Sequence, residues 1–517
     1  MKKENAMKDF SRIISMILIC AMTVCAAASC ADNENEKPNV VDPNKQTEQQ
    51  DDTPVFEEAD FGGDTFTIVA YDDTATDFID NYIDNETQTG EPINDAVIDR
   101  NTLVEEKYNV DVVKRAVSSP SSHARSASKS GTVDFEVVYE WGIRQVGLAT
   151  EGTFYDFLQL PVIDLSQEYW APSTQDDLTI ADKMLIATSD ITMNRIAWGY
   201  FIFFNANMCN DLKLELPYAY VDRNEWTFDN FLTMAKAASQ DTNGDTIWDT
   251  EDRYGFLDDY GNPGGGLNYL VASAGITGCL KNADGTYTID LLNEKIQQIY
   301  SKYTKTLGVD PAFTDPDMGS WLASRDSSMF ASGFKAHRFF AFGEGHYLFA
   351  KFSMDMTAEL TEMQEDYGVV PSPKYDSAQP EYYHYIDSCA PMLTVMKQTP
   401  DLDKVGTILE YMSYESMKNV LPAFYEQTIK TKRMPDIEGR DEKMLDIVRD
   451  SVHYSWTNLY YPAMKDAKGD PWDPCMTVLH DMLSSGNFAS VYKSKQALIE
   501  QSINGLYDMI LEIDVNK

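Results

Sequence analysis

Basic residues are scarce in this 517-residue chain, with 42 Lys and Arg against 83 Asp and Glu and a formal charge of −41. A surface this acidic repels phosphate backbones and anionic lipid head groups, which excludes nucleic-acid binding and membrane attachment through basic patches. Histidine is rare too: the chain has six, and His337 and His346 stand nine apart with no metal-ligand spacing. No His-Glu-x-x-His pair, Gly-x-Ser-x-Gly turn or phosphate-binding glycine loop occurs. With 83 acids, paired carboxylates arise by chance, so none can be singled out as a glycosidase acid and base. Repeats of solenoid or propeller period are missing. Cysteine is sparse as well: apart from Cys20, Cys25 and Cys30 near the start, the body has Cys209, Cys279, Cys389 and Cys475, far apart in sequence. They form no disulfide framework and are expected to be free, mostly buried thiols.

What is present begins at the N-terminus. A charged start, an apolar run from Ile13 to Ala28 and small residues after it read as an export signal, the run being too short to span a bilayer comfortably. Ala27-Ala28-Ser29-Cys30 resembles the lipobox of bacterial lipoproteins, in which the cysteine is acylated, although Ala27 stands where Leu is usual. The same residues fit ordinary signal-peptidase cleavage near Ala28. Residues 1–29 are thus expected to be a signal peptide, and residues 30–60, rich in Asp, Glu, Asn, Gln and Pro, a lipidated Cys30 followed by a disordered tether.

The remaining body, about 450 residues, exceeds the size at which one core keeps growing and predicts two lobes. Phe66–Ala70 reads as a buried strand, Ile93, Val97, Val104 and Tyr108 as one face of a helix starting at Pro92, and Val110–Val113 as the next strand. Phe135–Tyr139 follows the same pattern, which points to a parallel α/β sheet with Tyr71-Asp72 and Glu140-Trp141 at the carboxyl ends of strands, where such sheets place ligands. Ile202–Asn205 is a further strand, Trp226–Ser239 a helix with Asn224 as its cap, and Asp284-Gly285 a hairpin turn. Tyr367–Pro371 resembles a strand passing between lobes. The last quarter is helical, with core stripes at Val405, Ile408, Leu409, Met412 and at Ile499, Ile503, Leu506, Ile510.

Gly90-Glu91-Pro92-Ile93-Asn94-Asp95-Ala96-Val97, then Asp99-Arg100-Asn101 and Val104–Val110, resemble the first helix of extracellular solute-binding lipoproteins of clostridial-type bacteria. Leu421–Glu426 with Met444-Leu445-Asp446 is similar to their late helical segment. The likeness runs from about Phe61 to the end and points to distant relatives of the maltose-binding group, the receptors of ABC importers. It implies a periplasmic-binding-protein-like fold, two α/β lobes with a hinge and an interlobe cleft: lobe one at 61–164 plus 372–420, lobe two at 165–371 plus 421–517. It further implies a monomeric, non-catalytic receptor that is held to the extracellular face of the membrane by its lipid alone, closes on a solute, most naturally a carbohydrate, and presents it to permease subunits. A secreted glycoside hydrolase, or a surface glycan-binding lipoprotein without hinge motion, is the alternative.

Sugar sites pair aromatic faces with polar groups, because sugar rings carry apolar C–H faces and hydroxyl edges that need hydrogen bonds when buried. Candidates of that kind are Trp141 and Glu140 beside Gly142; Trp198 and Tyr200 before the strand ending at Asn205; Glu344, His346 and Tyr347 among glycines; and, more weakly, Tyr71, Asp72 and Asp387. Each aromatic has a plain rival role in core packing. Asp241, Asn243, Asp245, Ile247 (through its carbonyl), Asp249 and Asp252 space oxygens as an EF-hand-like calcium loop does, with Thr246 in place of Gly and Asp252 in place of Glu. A structural calcium there competes with a solvated Asp/Asn turn; no other cofactor is expected.

Overall fold

The computed structural model describes residues 54–72, 82–248, 251–257, 269–303, 305–306, 342–354, 363, 365–386, 388–431, 439–485 and 487–514. Cys30, the signal segment, Asp249 and Asp387 lie outside them. Residues 57–517 form one compact unit. None of the described helices is long and apolar enough to cross a membrane.

Two four-stranded sheets organise this unit. In the first, β1 (Asp64–Tyr71) lies parallel to β2 (Val110–Val117) and to β3 (Val137–Trp141), and β11 (Pro391–Val395) runs antiparallel to β3, so that Glu140 faces Met392. Helix α1 (Pro92–Tyr108) joins β1 to β2, with Pro92 in its first turn and Asn109 in the left-handed region at its end. Val97, Val104 and Tyr108 are buried as the spacing predicts, and Ile93 is half-buried. Helices α2 (Pro120–Ser130) and α3 (Gly142–Thr150) flank β3. The sheet is therefore parallel over its first three strands and closed by one antiparallel edge.

In the second sheet β4 (Phe201–Asn205) is central, antiparallel to both β8 (Tyr347–Phe352) and β9 (Tyr367–Val370), with β5 (Tyr254–Leu257) parallel to β8. Every residue of these four strands is buried, which explains their nearly continuous apolar sequence. β9 is the sheet's edge beside β4. The helix expected from Trp226 is α4 (Phe228–Ala238), capped by Thr227 and not by Asn224. Asn224 is instead left-handed at φ 57° and takes the ammonium of Lys374 on its side-chain oxygen.

The smaller pairings are the hairpin β6 (Cys279–Lys281) with β7 (Tyr287–Ile289), turning at Gly285, and the parallel contact of β10 (His384–Tyr385) with β12 (Val452–His453). Helix α5 (Leu402–Glu415) runs through one π-turn into α6 (Leu421–Thr431), and this pair packs on α1. Then come α7 (Arg440–Asp450), α8 (Trp456–Tyr460), α9 (Pro474–Ser485) and α10 (Phe488–Leu511). Both stripes named from the sequence, Val405 to Met412 and Ile499 to Ile510, are buried. None of Cys209, Cys279, Cys389 and Cys475 is in a disulfide in this structure, and all but Cys389 are buried.

Candidate functional site

Two histidine- and tyrosine-rich strings, Tyr382–Tyr385 and Val452–Trp456, are brought side by side by the β10–β12 pairing, which sets Tyr385 opposite His453. Beside them lies a cavity of about 260 Å³. Its walls come from Tyr200 and Lys351 at one end of the second sheet, from Tyr269 and the Val271–Gly278 strip, and from Ser455, Asn458, Asp473 and Cys475 around α8 and α9. Ser388 completes the wall and ties it to the first sheet, since its carbonyl accepts the N–H of Ile143 in the first turn of α3, immediately beyond Trp141.

The rings are held rigidly. Tyr383 packs on His453 with centroids 4.5 Å apart and planes at 31°. His453 is fixed through Nδ1 by Asp177 Oδ2 at 3.1 Å, and the same carboxylate oxygen accepts the N–H of Tyr454. Lys351 Nζ lies 5.5 Å from the ring centre of Tyr200 and 5.1 Å from that of Tyr269, a cation between two aromatic faces. The Tyr269 hydroxyl donates to Ser372 Oγ, which donates to the Tyr200 carbonyl. Gly275, at φ 74°, brings the wall so close that an added Cβ would sit 2.8 Å from the Tyr383 ring.

Two buried groups have shifted protonation. His384 Nε2 accepts the Ser372 N–H, so its proton is on Nδ1, facing Ser451 Oγ at 2.8 Å; burial pushes its pKa down to about 3, with the neighbouring His453 adding to the shift. Burial raises the Asp473 pKa, against hydrogen bonds from Asn458 Nδ2 and from the N–H groups of Cys475 and Met476. The site therefore offers aromatic faces, neutral hydrogen-bonding edges and one lysine.

Of the residues singled out in the sequence, Tyr200 lines this cavity. Trp198 is buried two residues away. Tyr71, Glu140 and Trp141 do come together at the carboxyl end of the first sheet, with Tyr71 and Trp141 centroids 6.0 Å apart. Glu140 is fully buried in strand β3, not in a loop, and accepts bonds from Tyr71 Oη at 2.5 Å, from Ser121 N at 2.5 Å and from Ser121 Oγ. Trp141 is half-buried beneath the Arg144 guanidinium, 4.4 Å from its ring centre, and its indole N–H is buried with no hydrogen-bond partner among the described residues. Asp72 continues the β1–β2 ladder through its N–H to the Val117 carbonyl.

Glu344, His346 and Tyr347 gather elsewhere. His346 faces Glu344 at 3.7 Å, and its Nδ1 lies 3.3 Å from the Asp252 carbonyl; Tyr347 stacks on Tyr254. They stand at the opposite end of β8 from Lys351, about 13 Å away along the strand. This is the end beside the Asp loop. There Asp241 accepts N–H bonds from Gly244 and Thr246, Asn243 from Asp245, Asp245 from Ile247, and Asp252, buried, from Thr242. Thr246 adopts φ 70°, the turn for which the loop pattern favours Gly. Among the described residues no three His, Cys, Asp or Glu side chains converge to hold a metal ion.

Sequence reasoning missed Tyr269, Lys351, Tyr383, His384, His453, Tyr454, Asn458 and Asp473. The dense His/Tyr strings were the available signal, but only the pairing of segments nearly 70 residues apart turns them into one wall.

Comparison by sequence finds no matching protein-family model, and no curated protein matches. Comparison by structure does find likenesses. The crystal structure of UspC from M. tuberculosis matches with a TM-score of 0.51 at 14% identity, over 85% of this chain and 100% of that one. The cyclic α-maltosyl-1,6-maltose binding protein of Arthrobacter globiformis matches with a TM-score of 0.51 at 12% identity, over 86% and 99%. This chain has the two-lobe α/β fold of periplasmic-binding-protein-like proteins.

Proposed function

We propose that this is an exported solute-binding protein that captures a small carbohydrate, or one end of an oligosaccharide, in the cavity between Tyr200, Lys351, Tyr383 and α9, and delivers it to an ABC permease. The carrying observation is the composition of that cavity: rings of Tyr200, Tyr269, Tyr383 and His453 beside Ser388, Ser455 and Asn458, the pairing of flat apolar faces with hydroxyl-binding edges that a sugar ring needs. The Arthrobacter neighbour binds cyclic α-maltosyl-1,6-maltose, as its name states, and has the same fold. Lobe one at 61–164 plus 372–420 and lobe two at 165–371 plus 421–517 would close on the solute, and acylated Cys30 would hold a monomer at the outer membrane face.

Among the described residues lining the cavity, Asp473 is the one carboxylate, already committed to Asn458 and to backbone N–H groups. A hydrolase of the usual kind needs a second carboxyl across the bond, so this lining favours capture over cleavage. The test is a thermal-shift screen of mono- and oligosaccharides against amino acids, peptides and polyamines, with product analysis of every hit. Ligand at a hundredfold its dissociation constant should add about 2.7 kcal/mol of stability. A shift with a sugar that is recovered intact supports receptor function; a shift only with another solute overturns the substrate class; release of cleaved sugar overturns the receptor reading.

A further inference from the structure

Cys279 and Cys475 are 196 positions apart in sequence, yet the fold makes them neighbours, with Cys475 Sγ packed against Gly278, the residue before Cys279. Local structure holds each in place. Cys279 begins β6 and pairs with Ile289, and Cys475 is in the first turn of α9, its N–H bound by Asp473 Oδ1. Gly278, at φ 80°, makes the approach feasible: a Cβ there would lie 2.6 Å from Cys475 Sγ and 3.3 Å from Cys475 Cβ. Any larger residue at 278 would push the two segments apart. Both thiols are buried, but Cys475 and Gly278 line the cavity, so a small reagent reaches the pair from that side. Cys209 and Cys389 do not line it.

We propose that Cys279 and Cys475 form a disulfide that joins the β6–β7 hairpin to α9 across the cavity wall. The oxidant is a disulfide, either of a small thiol such as glutathione or of a thiol-exchange protein. One of the two cysteines attacks it as its thiolate, giving a mixed disulfide and releasing one thiol; the other then displaces the second thiol and closes the Cys279–Cys475 bond. Two electrons pass to the external disulfide, and the two cysteine protons end on the two released thiols. The bond persists in an oxidising compartment, so its occurrence in the native protein rests on the export reading, while its formation on the folded protein does not. Joining Cys279 and Cys475 covalently would stiffen the part of the cavity wall formed by Gly278 and Cys475.

The experiment is non-reducing peptide mapping of the full chain, both as secreted and after treatment with glutathione disulfide. The expected result is a peptide pair linking Cys279 to Cys475, lighter by two hydrogens than the reduced pair, with a melting temperature several degrees above the reduced protein's. C389A keeps the crosslink, and C279A and C475A each lose it together with the oxidant-dependent shift. A crosslink formed by glutathione disulfide but missing from the secreted protein supports the pairing of the two thiols and overturns the occurrence of the bond in the native protein. A wild-type protein whose two thiols stay free under glutathione disulfide, while it melts cooperatively, overturns the inference without touching the sugar-capture reading.

Discussion

His384 Nε2 accepts the backbone N–H of Ser372 at 2.9 Å, which locks a fully buried imidazole in its neutral form behind the cavity wall. Ser372 leaves the second sheet and His384 pairs with the strand leading into the C-terminal helices, so one proton position ties the two segments together.

The sign of the pH effect follows. The folded His384 pKa of about 3 lies below the ordinary 6.5, so above pH 6.5 both states are neutral and nothing changes. Below pH 6.5 only the unfolded chain takes up the proton, and stability falls until the folded pKa is reached, by roughly 3 kcal/mol at about pH 4. Urea unfolding at pH 7, 5.5 and 4 should give wild type a steeper acid loss than His384→Asn, which is less stable at pH 7 because it breaks the Ser372 bond. Equal slopes would show that His384 carries no such load.

Tyr383→Ala removes the ring that Gly275 closely approaches and that packs on His453. Its effect on sugar affinity should be at least about tenfold, or ~1.4 kcal/mol, by isothermal titration, with the fold retained. Trp141→Ala should cost less, because Arg144 already covers one face of that indole. The reverse order would place the sugar at the carboxyl end of the first sheet.

Asp190 is a buried carboxylate between two guanidinium groups, 2.7 Å from Arg195 Nη2 and 3.1 Å from Arg449 Nη2; Arg449 also reaches Glu168 at 2.7 Å. Asp190→Ala leaves two buried cations facing each other and should destabilise by about 3–5 kcal/mol in urea unfolding. A loss below 1 kcal/mol would mean that water replaces the carboxylate.

Gly406 lies inside α5, where a Cβ would stand 1.8 Å from the carbonyl oxygen of Pro161. Alanine is the better helix former by about 1 kcal/mol, but the rigid backbone opposite leaves no room, so Gly406→Ala should lower the melting temperature. A rise would show that the segment around Pro161 yields.

For the Asp loop we expect chelation to lower the melting temperature and Asp241→Ala to abolish that difference. The side-chain oxygens already accept N–H bonds, but a carboxylate has about four lone-pair sites, which leaves some for a cation. A chelator-insensitive melt would sink the calcium proposal.

The first helix, the strands around it and the C-terminal stripes were legible because a single face of each is buried: the period of Val97, Val104 and Tyr108, or of Ile499 to Ile510, is set by local geometry and needs no knowledge of the partner. Tyr71 and Trp141 could be placed together for a similar reason, since parallel strands align their carboxyl ends. The cavity was not legible in the same way. Tyr200 signalled itself as an aromatic near a strand, but Lys351, Tyr383, His453 and Asp473 look like ordinary residues of ordinary segments. Composition and periodicity alone fixed the class of elements, the acidic character of the surface and the absence of known catalytic motifs. Only the tertiary structure decided that Glu140 is an internal strut, that Glu344 and His346 stand at the far end of β8, and that Cys279 meets Cys475. Long-range pairing is chosen by how whole faces pack, and no stretch of sequence carries that information by itself.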